Sequence, residues 1–137
     1  MKKLLVAALF AASAAAHAAG ETITVYKDAN CGCCEGWIAH LREAGYKINA
    51  IDSADMPAVK KRLGVPDALG SCHTGVVDAS GQVIEGHVPA AAVAKLIAQR
   101  GVKGVAVPGM PMNSPGMGKM DGKLVTVDFK GRPFSQD

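Results

Sequence analysis

A β-branched run, Thr22 to Tyr26, leads through Lys27, Asp28, Ala29 and Asn30 into three cysteines within four positions, Cys31, Cys33 and Cys34. Those cysteines in turn open an amphipathic stretch, and this junction constrains the fold more than any other part of the 137-residue sequence. "TITVY" alternates and reads as a strand. Cys34, Trp37, Ile38, Leu41 and Ala44 then recur at helical spacing while Glu35, His40, Arg42 and Glu43 fall off that stripe. The spacing predicts a helix from about Cys33 to Ala44, stopped by Gly45, with Cys34 facing inward and Cys31 outward. "YKINAID" supplies a second strand. A strand, a helix and a strand of this length make a parallel crossover.

Downstream, Pro57 sits in the first turn of a short helix carried by "AVKKRL" and ended by Gly64. "TGVVDASGQVIEGH" reads as a hairpin around Asp78 to Gly81. Pro89 opens a helix through Arg100 that buries Val93, Leu96 and Ile97. The resulting order β, α, β, α, β, β, α is that of an α/β, thioredoxin-like fold, a central mixed sheet with flanking helices. Residues 102–122 are rich in Gly, Pro and Met and predict a long loop without helix or strand. Residues 123–129, "KLVTVDF", alternate as one final strand on a sheet edge and carry no recognisable motif.

At the N-terminus, Lys2 and Lys3 precede an apolar run from Leu4 to about Ala12, and small residues end at Ala16-His17-Ala18. Residues 1–18 read as a secretory signal peptide cleaved after Ala18, so His17 leaves with it. The run falls short of the roughly 20 residues a membrane span needs, and no membrane attachment is expected after cleavage. Residues 19–137 then form a single domain of ordinary size, and the expected location is the periplasm. Two of the cations behind the formal charge of +3 are Lys2 and Lys3, which leaves the remainder near neutral with no basic run. Nucleic-acid binding has no electrostatic support.

Export favours disulfides, and Cys31, Cys33, Cys34 and Cys72 allow two structural bridges. A domain of this size needs no staples, however, and bridges inside the cluster would close only tiny loops. A second reading is a dithiol: the loop after the first strand delivers Cys31 and Cys34 to a helix N-terminus, where unpaired N–H groups favour the thiolate. Cys31 would attack and Cys34 would resolve. Against it, Cys33 stands where thioredoxins commonly carry proline, and "SCHTG" puts Cys72 and His73 where that fold places another. Extra thiols capture mixed disulfides unproductively.

The third reading is a metal site. Four sulfurs and an imidazole converging on one small space suit Cu(I), with zinc the weaker alternative. Met110 and Met112 in "PGMPMNSPGM", followed by Met117 and Met120, add thioethers, which are soft, carry no proton and offer zinc nothing. The same methionines could instead fill gaps beneath a loop. His73, beside Cys72, reads as a ligand or its immediate support. His87, in "EGHVPA", is either a helix-entry residue or an outer ligand. His40 lies about 10.5 Å along the helix from Cys33 and reads as a solvated surface residue.

Taken together, "CGCC", "SCHTG", "IEGHVPA" and "AVPGMPMNSPGM" resemble the CopG-type periplasmic copper-resistance proteins, over roughly Ile23 to Met117. The resemblance implies a thioredoxin-like fold in which Cys31, Cys33, Cys34 and Cys72 bridge a multinuclear Cu(I) cluster. It makes His73, His87, Met110 and Met112 accessory positions. It also implies a role in copper resistance, with interconversion of Cu(I) and Cu(II), and copper ions and periplasmic copper-handling proteins as partners. The competing function is an exported thioredoxin-like thiol-disulfide oxidoreductase.

Overall fold

The structure, a computed structural model, describes residues 20–137; the segment read as a signal peptide, with His17, lies outside the described residues. Strand β1 (Thr22–Lys27) runs into helix α1 (Gly32–Glu43), strand β2 (Lys47–Asp52), helix α2 (Met56–Arg62) and a 3-10 turn (Asp67–Leu69). The hairpin β3 (Thr74–Val77) and β4 (Val83–Glu85) follows, then helix α3 (Ala90–Ala98) and strands β5 (Gly104–Ala106), β6 (Val125–Asp128) and β7 (Pro133–Gln136). One mixed sheet holds all seven strands in the order β2-β1-β3-β4-β5-β6-β7. The thioredoxin-like α/β expectation holds, with β1 and β2 parallel across α1 and β3 and β4 an antiparallel hairpin.

The C-terminal third departs from the reading of its composition. Gly104–Ala106, at the head of the segment expected to be loop throughout, is a fully buried strand parallel to β4. Helix α3 therefore bridges a second parallel crossover. The final strand is also not an edge: β6 lies between β5 and β7. "RPFS", which carries no strand pattern of its own, supplies most of β7, the strand at that edge of the sheet.

The core forms where α1 and α3 lay their apolar stripes on the sheet. Trp37, Ile38 and Leu41 from α1, and Val93 and Leu96 from α3, pack with Ile23, Val25, Ile84 and Val105. Each such side chain contributes about 1.5–3 kcal/mol by leaving water. Two polar contacts then fix α1 against the approach to α3. Trp37 Nε1 donates to the Val88 carbonyl at 2.8 Å, and the Ala90 amide donates to His40 Nε2 at 3.0 Å.

His40 is thus no solvated surface residue. The segment before α3 carries no side-chain cap of its own, so an imidazole from the neighbouring helix satisfies one of its unpaired amides. Accepting that bond requires a neutral Nε2, and burial holds the His40 pKa below its ordinary value of 6.5, against the opposing pull of Glu43. The folded pKa lies under the unfolded one, so this contribution is complete above the unfolded pKa and is lost as pH falls below it toward the folded value. His40→Ala is expected to cost the metal-free protein about 1 kcal/mol at neutral pH. It should also flatten the decline in stability on acidification, measured by urea unfolding at several pH values. An unchanged pH profile in the variant would show that His40 is not the titrating group.

Candidate metal centre

Sheet register brings the cysteine, histidine and methionine segments together. Tyr26 of β1 pairs with Thr74 of β3, Thr74 with Glu85 of β4, and Glu85 with Ala106 of β5, one row across four strands. Because β3 runs opposite to the other three, the chain leaves β1, β4 and β5 at the end where it enters β3. The Cys31–Cys34 turn, Cys72, His87 and Met110 all lie a few residues beyond that row, on the same edge.

Helix α1 begins at the cysteines because Asp28 shapes the turn before them: its Oδ1 accepts from the Asn30 amide at 2.8 Å and its carbonyl accepts from the Cys31 amide at 3.1 Å. Lys27 anchors this turn from below. Its buried ammonium reaches Glu35 at 2.9 Å and Asp52 at 3.0 Å, tying the first turns of α1 to the end of β2. Those contacts, Glu35 first, hold its pKa above the ordinary value. Cys31 is the N-cap and offers no side-chain cap, so the first-turn amides remain available to stabilise negative sulfur.

The four sulfurs form a contiguous group, all within 4.8 Å of one another. Cys31 and Cys34 are joined in a disulfide, while Cys33 and Cys72 are free thiols. Cys33 Sγ stands between the other elements, 3.5 Å from Cys31 Sγ and 3.7 Å from Cys72 Sγ. Cys34 is fully buried and Cys31 partly exposed, as the helical stripe requires. Burial, reinforced by Cys33, pushes the Cys72 thiol up to about 11. It keeps its proton at neutral pH unless a cation displaces it.

Cys72 is also where the sulfur group meets other donors. Met110 Sδ lies 3.1 Å from its Sγ and His87 Nε2 lies 3.4 Å from it. His87 Nδ1 is 2.7 Å from the Pro115 carbonyl. A carbonyl only accepts, so Nδ1 carries the proton and Nε2 turns its lone pair toward Cys72. His87 therefore does more than lead into α3, and burial lowers its pKa, which keeps that lone pair available. His73 is fully buried between Trp37 and His87, with ring centroids 4.2 Å and 5.1 Å away. Neither of its nitrogens has a hydrogen-bond partner among the described residues. Desolvation, then the neighbouring His87, brings its pKa down to about 3. A neutral imidazole with two orphaned nitrogens is a costly thing to bury, and Cys72, His73 and His87 have ligand atoms within 4.8 Å of one another.

Met112 is not drawn into this group. It is 68% exposed, and its terminal methyl lies toward Gly118. The loop that carries both methionines is nevertheless built into the protein. Ser114 and Pro115 are buried, and Ser114 closes turns with the Pro111, Met117 and Gly118 backbone. Gly116, at φ +90°, passes so close to α1 that a Cβ there would stand 2.7 Å from the Trp37 nitrogen and 2.8 Å from the Cys33 carbonyl. Loop and helix N-terminus touch backbone to backbone, which only glycine permits.

Several residues that position the site were invisible as such in the sequence. Glu85, fully buried, accepts from the Ser71 amide at 2.7 Å, from Thr74 Oγ1 at 2.5 Å and from the Lys60 ammonium. Ser71 Oγ in turn donates to the Gly109 carbonyl. One carboxylate thus holds the residue before Cys72, and through it the residue before Met110. In "QVIEGH" a glutamate reads as solvent-facing, and no local pattern marks it otherwise. "SPG" reads as an exposed turn.

The donor set is therefore sulfur-rich, with one oriented imidazole nitrogen, a second imidazole without partners and a thioether. Such a set fits a soft or borderline cation better than a hard one. Among the described residues no helix is long and apolar enough to cross a membrane.

Residues 69–117, from the 3-10 turn through the methionine loop, match the family described as protein of unknown function, DUF411. No curated protein matches the chain. Among solved structures, two forms of a copper resistance protein copG are 47% identical to it, each covering 86% of this chain and 98% of their own, with TM-scores of 0.74 and 0.75. Identity at that level over nearly the whole of the relative's length places the chain: it belongs to the family of the copper resistance protein CopG.

Proposed function

We propose that this protein is exported to the periplasm and confers copper resistance by holding Cu(I) in a cysteine-bridged, multinuclear site. The observation that carries the reading is the grouping of four sulfurs within 4.8 Å, with Cys72 also touching His87 and Met110. Thiolates are soft and can each bridge two ions, so four of them in one small space suit several Cu(I) ions better than one tetrahedral zinc. Cys31 and Cys34 can add their sulfurs to that site as thiolates only once their disulfide is reduced. Their oxidation to the disulfide releases two electrons and two protons, enough to convert two Cu(II) to Cu(I), so the same couple supports interconversion of the two states. Copper ions are the cargo, and exported copper-handling proteins are the partners this role requires.

Metal analysis of the protein reduced and loaded without oxygen tests the reading. More than one Cu(I) per chain is expected. One zinc per chain, with no copper retained, would defeat it.

Met110 and Met112 should affect retention rather than folding, because both are more than half exposed. Changing both to leucine preserves bulk and removes sulfur. The expected outcome is a Tm of the metal-free protein within a few degrees of the original, with copper lost to a chelator about 10-fold faster. Most of that effect should come from Met110, which touches Cys72. A large fall in Tm with unchanged copper release would make them packing residues instead.

The Cys31–Cys34 disulfide favours a second reading, an exported thioredoxin-like thiol-disulfide oxidoreductase. Disulfide reductase assays on copper-free protein separate the two. Vigorous turnover abolished by Cys31→Ser but untouched by Cys72→Ser would favour the oxidoreductase.

A further inference from the structure

We propose that Cys33 and Cys72 form a second disulfide, giving the site a fully oxidised state in which no cysteine is left to bind metal. The structure commits Cys31 and Cys34 to each other and leaves Cys33 and Cys72 as the remaining thiols, their Sγ atoms 3.7 Å apart. A disulfide needs a separation of about 2.05 Å, so bond formation requires the two sulfurs to approach by less than about 2 Å. Cys33 has no better partner. Cys31 is already bonded, and a vicinal bond to Cys34 would be strained.

The two candidate bridges do different things to the chain. Cys31–Cys34 spans three positions, whereas Cys33 and Cys72 are 39 apart and belong to different segments, the first turn of α1 and the approach to β3. Closing the longer loop removes more freedom from the unfolded chain. The second bond would therefore clamp α1 to the hairpin as well as remove two ligands.

The oxidant is a small-molecule disulfide. Cys33, a free thiol on the first turn of α1, attacks one sulfur of the oxidant as its thiolate. A protein–oxidant mixed disulfide forms, the oxidant's own bond breaks and one thiolate leaves. Cys72, which rests as the thiol, gives up its proton as it attacks Cys33 Sγ; the mixed disulfide breaks and the second thiolate leaves. Two protein thiols lose two electrons, the oxidant becomes two thiols, and the two protons released from Cys33 and Cys72 end on them. The consequence for metal rests on the copper reading above; the bond itself does not.

The test uses metal-free protein incubated with oxidised glutathione, alkylated, digested without reductant and mapped by mass spectrometry. The expected result is no alkylatable cysteine and a peptide containing Cys31, Cys33 and Cys34 cross-linked to the one containing Cys72. Cys33→Ser should abolish that cross-link while leaving Cys31–Cys34 intact. Two cysteines that stay alkylatable or glutathione-blocked in the original protein would overturn the proposal, as would a cross-link that survives Cys33→Ser. Titration with Cu(I) under nitrogen should then show copper capacity lost in the doubly oxidised protein and restored by a reductant. Cross-linked protein that retains its copper capacity would overturn the metal-free state. Reduced protein that binds no copper, yet still forms the cross-link, would count against the copper function and leave the second disulfide standing.

Discussion

Cys33→Ser is expected to remove roughly half or more of the Cu(I) the reduced protein holds, and to weaken what remains by more than about 100-fold. Loss of a group merely supporting a ligand already costs about 10–100-fold in metal affinity, and Cys33 lies in the middle of the sulfur group itself. Its Sγ is 3.5 Å from Cys31 and 3.7 Å from Cys72, so it is the atom best placed to bridge ions held by either. A serine hydroxyl is a hard donor that keeps its proton and cannot replace it. Folding should be nearly indifferent, since the change is close to isosteric and the side chain is only partly buried; a stability change within about 0.5 kcal/mol is expected. Competition with a chromophoric Cu(I) chelator under nitrogen measures both capacity and affinity. Full capacity in the variant would mean that Cys33 is not a ligand, and would return Cys31 and Cys34 to the role of a simple dithiol.

The second large effect is on stability. Glu85→Ala is expected to cost about 3–5 kcal/mol, a large share of the 5–15 kcal/mol that holds a typical domain together. The substitution leaves the Lys60 ammonium, 19% exposed, without its counter-charge, and the Ser71 amide and Thr74 hydroxyl without their acceptor. Glu85→Gln keeps one carbonyl oxygen in place and should cost less, about 1–3 kcal/mol. Replacing both partners, as in Lys60→Met with Glu85→Leu, should recover much of the loss, because no charge is then stranded. Urea unfolding of the reduced, metal-free proteins orders the three. If Glu85→Ala cost under about 1 kcal/mol, the carboxylate could not be the anchor of the Cys72 segment. The same variant should loosen the Ser71 link to Gly109 and with it the contact between Cys72 and Met110, so copper should leave faster from any fraction that folds.

These two residues also mark how far the sequence could be read. Cys33 was legible, because three thiols at the mouth of an amphipathic helix are placed by local rules alone: strand alternation before them, helical spacing after them. Helix α1, both first strands, the hairpin and the parallel crossover followed from the same short-range regularities. Cys72 was legible as a candidate through its fold position. Glu85 was not, since a carboxylate in a strand gives no sign of burial; its partners Lys60, Ser71 and Thr74 come from other segments of the chain. His40 misled for the same reason, being judged by its distance from Cys33 along one helix when its partner is the Ala90 amide of another.

The sequence alone thus determined the local scaffold and the inventory of soft donors. Tertiary structure decided which donors meet. The Tyr26–Thr74–Glu85–Ala106 row aligns four chain segments on one edge, and it brings in His87 and Met110 while leaving Met112 outside. It also made a strand of Gly104–Ala106, three residues with no strand-forming pattern of their own. They are extended because their backbone groups, buried between β4 and β6, have the ladder on either side as their partners. A hydrogen bond to a neighbouring strand is a contact between residues distant in sequence, and no local propensity records it.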